Sequence, residues 1–196
     1  MAYQKFDVSK LERLDDPERT EKIVPDVMWH ALGDPNPDVI VDVGAGTGLF
    51  ACRFAELAPQ ATVYAVDIAP VMVRWMFEHR PAALSGRLKP MMGAETTVPL
   101  GTGEADLVVM IALHHELRDP IASYREALRL LAIGGQLLVV DWLPGVVGGG
   151  PPDDIRATPQ AISAILDAVG FAEIESHEGL SHHSLLTASK PVICAL

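Results

Sequence analysis

One stretch of the chain carries most of the residues whose types and spacing could do chemistry. Residues 39–50 read VIVDVGAGTGLF, with a carboxylate at Asp42 and glycines at Gly44, Gly46 and Gly48. A glycine without Cβ lets main chain approach a ligand closely. A second acid, Asp67, lies in VYAVDI, 23 residues after Gly44 (67 − 44). An acid about 20 residues beyond a glycine turn commonly receives ribose hydroxyls in nucleotide folds. A dinucleotide site would instead want G-x-G-x-x-G, seating a pyrophosphate on a helix N-terminus. Here the third position of that spacing is Leu49, and the third glycine falls one residue early. Asp42 would also repel a diphosphate. The set therefore suits a nucleoside whose far end is cationic.

The elements that must position these residues can be read on either side of them. Val39, Ile40, Val41 and Val43 form a short β-branched run, the mark of a strand buried on both faces. Phe50, Ala51, Phe54, Ala55 and Leu57 follow as a helix, for which Thr47 is the expected cap. Strand, glycine turn and helix place a ligand at the carboxyl edge of a parallel sheet. With Asp67 ending the next strand, the sequence resembles the class I S-adenosylmethionine-dependent methyltransferases over about residues 38–190, most of all the ubiquinone and menaquinone biosynthesis group.

The resemblance implies an α/β, Rossmann-like fold: a seven-stranded, mostly parallel sheet with helices on both faces and its last strand antiparallel. It implies a methyltransferase domain over residues 34–196, preceded by an N-terminal helical extension or lid at 1–33. The implied activity is methyl transfer from S-adenosylmethionine to a small-molecule acceptor, with S-adenosylhomocysteine as product. Asp42, Gly44, Ala45, Gly46, Thr47 and Gly48 would hold the methionine end, and Asp67 the ribose. Ile68 and Met72 would flank the adenine, although core packing alone also accounts for Met72. Ile111, on the fourth strand, would pass beside the methionine part. The family's acidic acceptor for the adenine amine precedes a Leu-Pro or similar pair. Val98-Pro99 marks that place; Ala94 stands where the acid is usual, and the neighbouring Glu95 is the expected acceptor. A protein side-chain methyltransferase and a non-catalytic S-adenosylmethionine-binding protein are the alternatives. The arsenic-methylating branch needs a set of cysteines that Cys52 and Cys194 do not supply.

Of seven histidines, His114 and His115 close the fourth strand, and His182 and His183 precede the last one. His114 or His115 could act as a catalytic general base, since imidazole titrates near neutral pH. His114, His115, Glu116 and His182 could gather a metal, or the histidines could simply cap backbone and line a pocket. No H-E-x-x-H spacing supports the metal, and three adjacent side chains diverge on a strand, so none is expected. His30 and His79 fall on expected helices as surface or core residues.

Composition bounds the partners. A net charge of −11 disfavours nucleic-acid phosphates and anionic membranes. Two distant cysteines, no apolar leader and no run of 18 apolar residues make a soluble, cytoplasmic protein the expectation. An oligomer is compatible with all of this. The extension is expected as a helix near 9–14 and another over 17–32, with Tyr3 and Phe6 facing the acceptor. Arg129 through Gly135 matches the family's R-x-L-x-x-G-G segment, its glycines ending a helix and turning the chain. Residues 143–156, LPGVVGGGPPDDIR, read as a flexible loop covering the acceptor. Residues 171–175 and 184–188 read as a closing antiparallel pair.

Overall fold

The computed structural model describes residues 11–80 and 86–192. Tyr3, Phe6, the start of the expected 9–14 helix and the end of the tail lie outside the described residues.

Five strands pair in parallel: β1 (Val39–Val43), β2 (Thr62–Asp67), β3 (Leu88–Met92), β4 (Ala105–Ile111) and β5 (Leu131–Trp142). Two more, β6 (Ala172–His177) and β7 (His183–Ser189), join antiparallel, giving the order β3-β2-β1-β4-β5-β7-β6. The chain runs outward from β1 through β2 to β3, then returns to place β4 on the other side of β1. That reversal opens a crevice beyond the carboxyl ends of β1 and β4, where open α/β sheets bind ligands.

Consecutive strand residues face opposite layers, so the central strands are apolar on both faces up to the acids near their carboxyl ends. Ile40, Leu107, Leu138 and Leu185 meet α3 (Pro25–Ala31), α4 (Leu49–Leu57) and α5 (Pro70–His79) through Met28, Phe54 and Met76. Val41, Val108, Leu137 and Leu186 meet α6 (Pro120–Leu130) and α7 (Pro159–Val169) through Tyr124, Ile162 and Leu166. Each fully buried side chain of this kind contributes about 1.5–3 kcal/mol. Asp119 and Thr158 cap α6 and α7, accepting the amides of Ala122 (2.9 Å) and Ala161 (3.2 Å), each before a proline at the first helical position.

Three sequence expectations change. The 17–32 helix is broken into α2 (Glu18–Lys22) and α3, following α1 (Leu11–Leu14). Pro25 lacks an N–H and forces Val24 into extended backbone, so the helix restarts there. The Gly134-Gly135 pair does not end α6, which stops at Leu130; it lies inside β5, beside a register shift between Ala105 and Leu107. A Cβ on Gly135 would meet the backbone oxygens of Ala132, Ala105 and Asp106 at 3.0–3.1 Å, so only glycine fits that crossing.

The loop 143–156 is not a loose cover. Arg156, nearly buried, donates to the carbonyls of Leu143 (3.1 Å), Val146 (2.9 Å), Gly149 (2.7 Å) and Pro151 (2.7 and 3.0 Å) and lies over the Trp142 ring. One planar cation thus holds together a segment whose regular structure is a single 3-10 turn, Asp153–Ile155, and no residue of the loop lines the crevice. Arg156→Ala leaves these carbonyls without their donor. Stability should drop by about 2–3 kcal/mol, and limited proteolysis within 145–150 should accelerate. Arg156→Lys should recover little, because an ammonium cannot span four carbonyls in one plane. Unchanged cleavage in both variants would show that the loop is held by other means.

Candidate functional site

The crevice is a cavity of about 310 Å³. From β1 and its turn come Asp42, Gly44, Ala45 and Gly46. The end of β2 and the start of α5 add Asp67, Ile68 and Met72. Ala94 and Glu95 supply a third wall, and Ile111 the end of β4. Thr47 and Gly48 are not among the cavity's lining residues. The expected Thr47 cap does not form: Gly48, at φ +75°, is the N-cap of α4, and no side chain caps it. Thr47 is buried, its hydroxyl donating to the Leu14 carbonyl at 3.3 Å.

The turn offers a ligand room rather than donors. The amides of Gly44 and Ala45 donate to the Val66 carbonyl (2.8 and 3.0 Å), and that of Gly48 to the Ala45 carbonyl (2.9 Å). The Gly46 amide donates to Asp67 Oδ2 at 2.8 Å. A phosphate cradle needs such amides aimed outward, so the spent donors argue against a dinucleotide. Gly44 has φ +74°, and a Cβ there would fall 2.7 Å from Leu113 Cδ1. A Cβ on Gly46, at φ +56°, would meet nothing within 4 Å; it would occupy open space beside the cavity.

Two acids set the electrostatics. Asp42 is 2% exposed, and its Oδ2 has no hydrogen-bond partner within the protein. Burial pushes its carboxyl up to about 7; Asp67 adds to the rise and Arg19 opposes it. An unmatched buried carboxylate is costly unless a cation meets it, and it lies on the cavity wall. Asp67 is used differently. Its Oδ2 accepts from Gly46, and its Oδ1 accepts from the Ala69 amide at 2.8 Å, tying the glycine turn to the start of α5.

The third wall is held from α6. Glu126 and Arg129 form a bidentate pair at 2.7 Å, and Glu126 also accepts the Val98 amide at 2.7 Å. Arg129 donates to the carbonyls of Val98 (3.2 Å) and Leu100 (3.0 Å). The Arg129 cation keeps the Glu126 carboxyl below the usual carboxylate range. The sequence marked Arg129 only as the start of a glycine-ended segment. Its i,i+3 partner Glu126 was the signal that an ion pair stands there.

The histidines are placed otherwise than expected. Residues 114–116 form a 3-10 turn, not strand, and neither His114 nor His115 lines the cavity, although Glu116 does. His114 is buried with Nδ1 2.8 Å from the Tyr124 hydroxyl, and burial lowers its pKa. His115 Nδ1 lies 2.8 Å from Asp141 Oδ1, and its Nε2 lies 3.9 Å from Glu116 Oε1. His183 is buried against Trp142 (ring centroids 4.2 Å), away from the cavity lining. Among the described residues no group of three or more His, Cys, Asp or Glu could hold a metal ion. Leu14 and Arg19, from the extension, also line the cavity, and the sequence reading missed both. A short polar helix carries no pattern that announces its tertiary neighbour.

Comparison with known proteins bears on this geometry. Residues 41–139 match a family model described as a methyltransferase domain. A malonyl-[acyl-carrier protein] O-methyltransferase from Geobacter sulfurreducens is 37% identical over 99 residues, 50% of this chain and 36% of that protein. The demethylmenaquinone methyltransferase of Thermus thermophilus is 26% identical over 167 residues, covering 69% of this chain and 75% of the relative. The match thus spans about a third of the length of the malonyl-acting relatives. Among solved structures, a SAM dependent methyltransferase from Aquifex aeolicus superposes with a TM-score of 0.86 at 25% identity, over 94% of this chain and 98% of that one.

Proposed function

The chain belongs to the methyltransferase domain family, and on that premise we propose that it transfers a methyl group from S-adenosylmethionine to a small-molecule acceptor. The observation that carries the reading is Asp42: a buried carboxylate oxygen without a partner, on the wall of a cavity that Asp67, Gly44, Ala45 and Gly46 also border. The residues fit the cofactor. Asp42 would hold its ammonium, Asp67 the ribose hydroxyls and Glu95 the adenine amine, with Ile68 and Met72 against the ring and Gly44, Ala45 and Gly46 leaving room for the methionine chain.

When bound, S-adenosylmethionine supplies an electrophilic methyl on a positively charged sulfur. The chain's own contribution is placement in a cavity shielded from water. Leu14, Phe50, Leu113 and Leu117 give the cavity an apolar side suited to an acceptor. Held by Asp42 and Asp67, the cofactor would supply that methyl and keep the bonding electron pair on its sulfur, which leaves the chain to position the acceptor and receive its proton. Glu116, on the cavity wall, takes that proton. Of the two histidines expected as bases, His115 serves behind Glu116, oriented by Asp141, while His114 is committed to Tyr124. Residues 11–32 act as the lid, through Leu14 and Arg19.

No helix among the described residues is long and apolar enough to cross a membrane. We place the reaction in the cytoplasm, away from nucleic acid. The acidic charge disfavours nucleic-acid phosphates, and Cys52, a half-buried free thiol, fits a reducing compartment.

Calorimetric titration with S-adenosylhomocysteine and, separately, NAD tests the cofactor half. Saturable heat with the first alone is expected; silence with it overturns the reading. Incubation with methyl-labelled S-adenosylmethionine and a panel of phenols, thiols and carboxylic acids tests the acceptor half. Label in the small-molecule fraction is expected. Label confined to protein, or none with cofactor bound, would favour the two alternatives.

A further inference from the structure

We infer that Arg19 is a carboxylate receptor which, with Asp42, reads the α-amino-acid head group of the cofactor. This rests on the proposed function, but on a residue outside the matched region 41–139. Arg19 lies on α2 and lines the cavity together with Asp42, yet the two form no direct ion pair among the described residues. Two opposite charges border one cavity without forming an ion pair. A ligand carrying a cation and an anion on the same carbon would complete both.

The guanidinium is held ready for that role. One of its N–H groups donates to the Leu14 carbonyl at 2.8 Å, and its carbon lies 5.3 Å from the centroid of the Phe50 ring. A guanidinium has five N–H donors in a planar fork that matches a carboxylate, so a single bond to Leu14 leaves capacity for a ligand. Leu14 is itself anchored: its carbonyl accepts the Thr47 hydroxyl, and the neighbouring Asp15 pairs with Arg80, which also donates to the Thr47 carbonyl at 3.0 Å. Arg19 therefore keeps its position over the Phe50 ring at the cavity through contacts that do not need the ligand. Burial lowers the Arg19 pKa while Asp42 supports its charge, as expected for a cation placed to face a buried carboxylate.

The test compares two ligands. S-adenosylhomocysteine carries the amino-acid head; 5′-methylthioadenosine has the same nucleoside and thioether without it. Arg19→Met, which keeps the length and removes the charge, should weaken S-adenosylhomocysteine by about 10- to 100-fold, the range of a charge-assisted contact. Its affinity for methylthioadenosine should stay within about twofold, and Arg19→Lys should fall between Arg19→Met and wild type. Equal weakening of both ligands would mean that Arg19 only shapes the pocket, and unchanged S-adenosylhomocysteine affinity would remove the receptor. A raised acceptor KM with unchanged cofactor affinity would assign the carboxylate to the acceptor and overturn the inference. If wild type itself fails to bind S-adenosylhomocysteine, the functional reading fails, and the comparison separates that case.

Discussion

Asp42→Asn should make the ligand-free protein more stable and, in the same step, unable to hold its cofactor. The carboxyl sits at about 3.8 when unfolded and about 7 when folded. A raised folded value means that the native state favours the proton. Stability from this group is therefore fully present below about pH 3.8 and is lost as pH rises through about 7. Roughly three pKa units correspond to about 4 kcal/mol as an upper bound. The neutral amide avoids that cost. Near pH 8 the melting temperature should rise by about 5–10 °C, and near pH 5 the gain should shrink. Binding should move the other way. An amide offers the ammonium no charge, so affinity for S-adenosylhomocysteine should drop by about 100-fold. In the wild type, the proton competes with the ligand, and affinity should fall about tenfold per pH unit below 7. Thermal melts at two pH values, with and without ligand, read all of this. A variant less stable than wild type near pH 8 would show that Asp42 is not an unmet charge.

The matching change at the other acid should have the opposite sign on stability. Both oxygens of Asp67 accept main-chain amides, from Gly46 and Ala69. Asp67→Asn keeps the shape but turns one acceptor into a donor facing an amide N–H. The folded state should lose about 1–3 kcal/mol. The glycine turn loses its tie to α5, and the ribose loses an ionised acceptor, so cofactor affinity should fall by about 30-fold or more. A third consequence follows from coupling. Asp67 is one of the groups that raises the Asp42 carboxyl, so the pH midpoint of residual binding should shift downward. Calorimetry across a pH series detects that shift. An unchanged midpoint alongside weaker binding would mean that the two acids are electrostatically independent.

These opposite signs reflect how the site is built. Asp67 is satisfied by backbone and serves the fold first, whereas the Asp42 oxygen awaits a ligand. Such local instability at a binding site is common where function needs a charge that folding would exclude.

The sheet, its glycine turn and the two acids can be read from the residues alone. Those features are local: buried β-branched runs, a turn that only glycine can make, and acids at strand ends are fixed by steric and solvation rules acting over a few residues. The residues also located the loop wall at 94–98 and the helices α4 to α7. Where the other polar groups went depended on the folded chain. It sent His114 to Tyr124 and His115 behind Glu116, because a 3-10 turn points adjacent side chains where a strand would not. Thr47 went to the Leu14 carbonyl and left the α4 cap to glycine. A supposedly loose loop was organised around Arg156, and Arg19 was brought from a separate helix to the cavity wall. Several of those outcomes depend on a partner in another element, 10 residues away for His114 and 33 for Thr47. No periodicity or spacing encodes such a partner, because what selects it is the pairing of buried polar groups once the chain has closed.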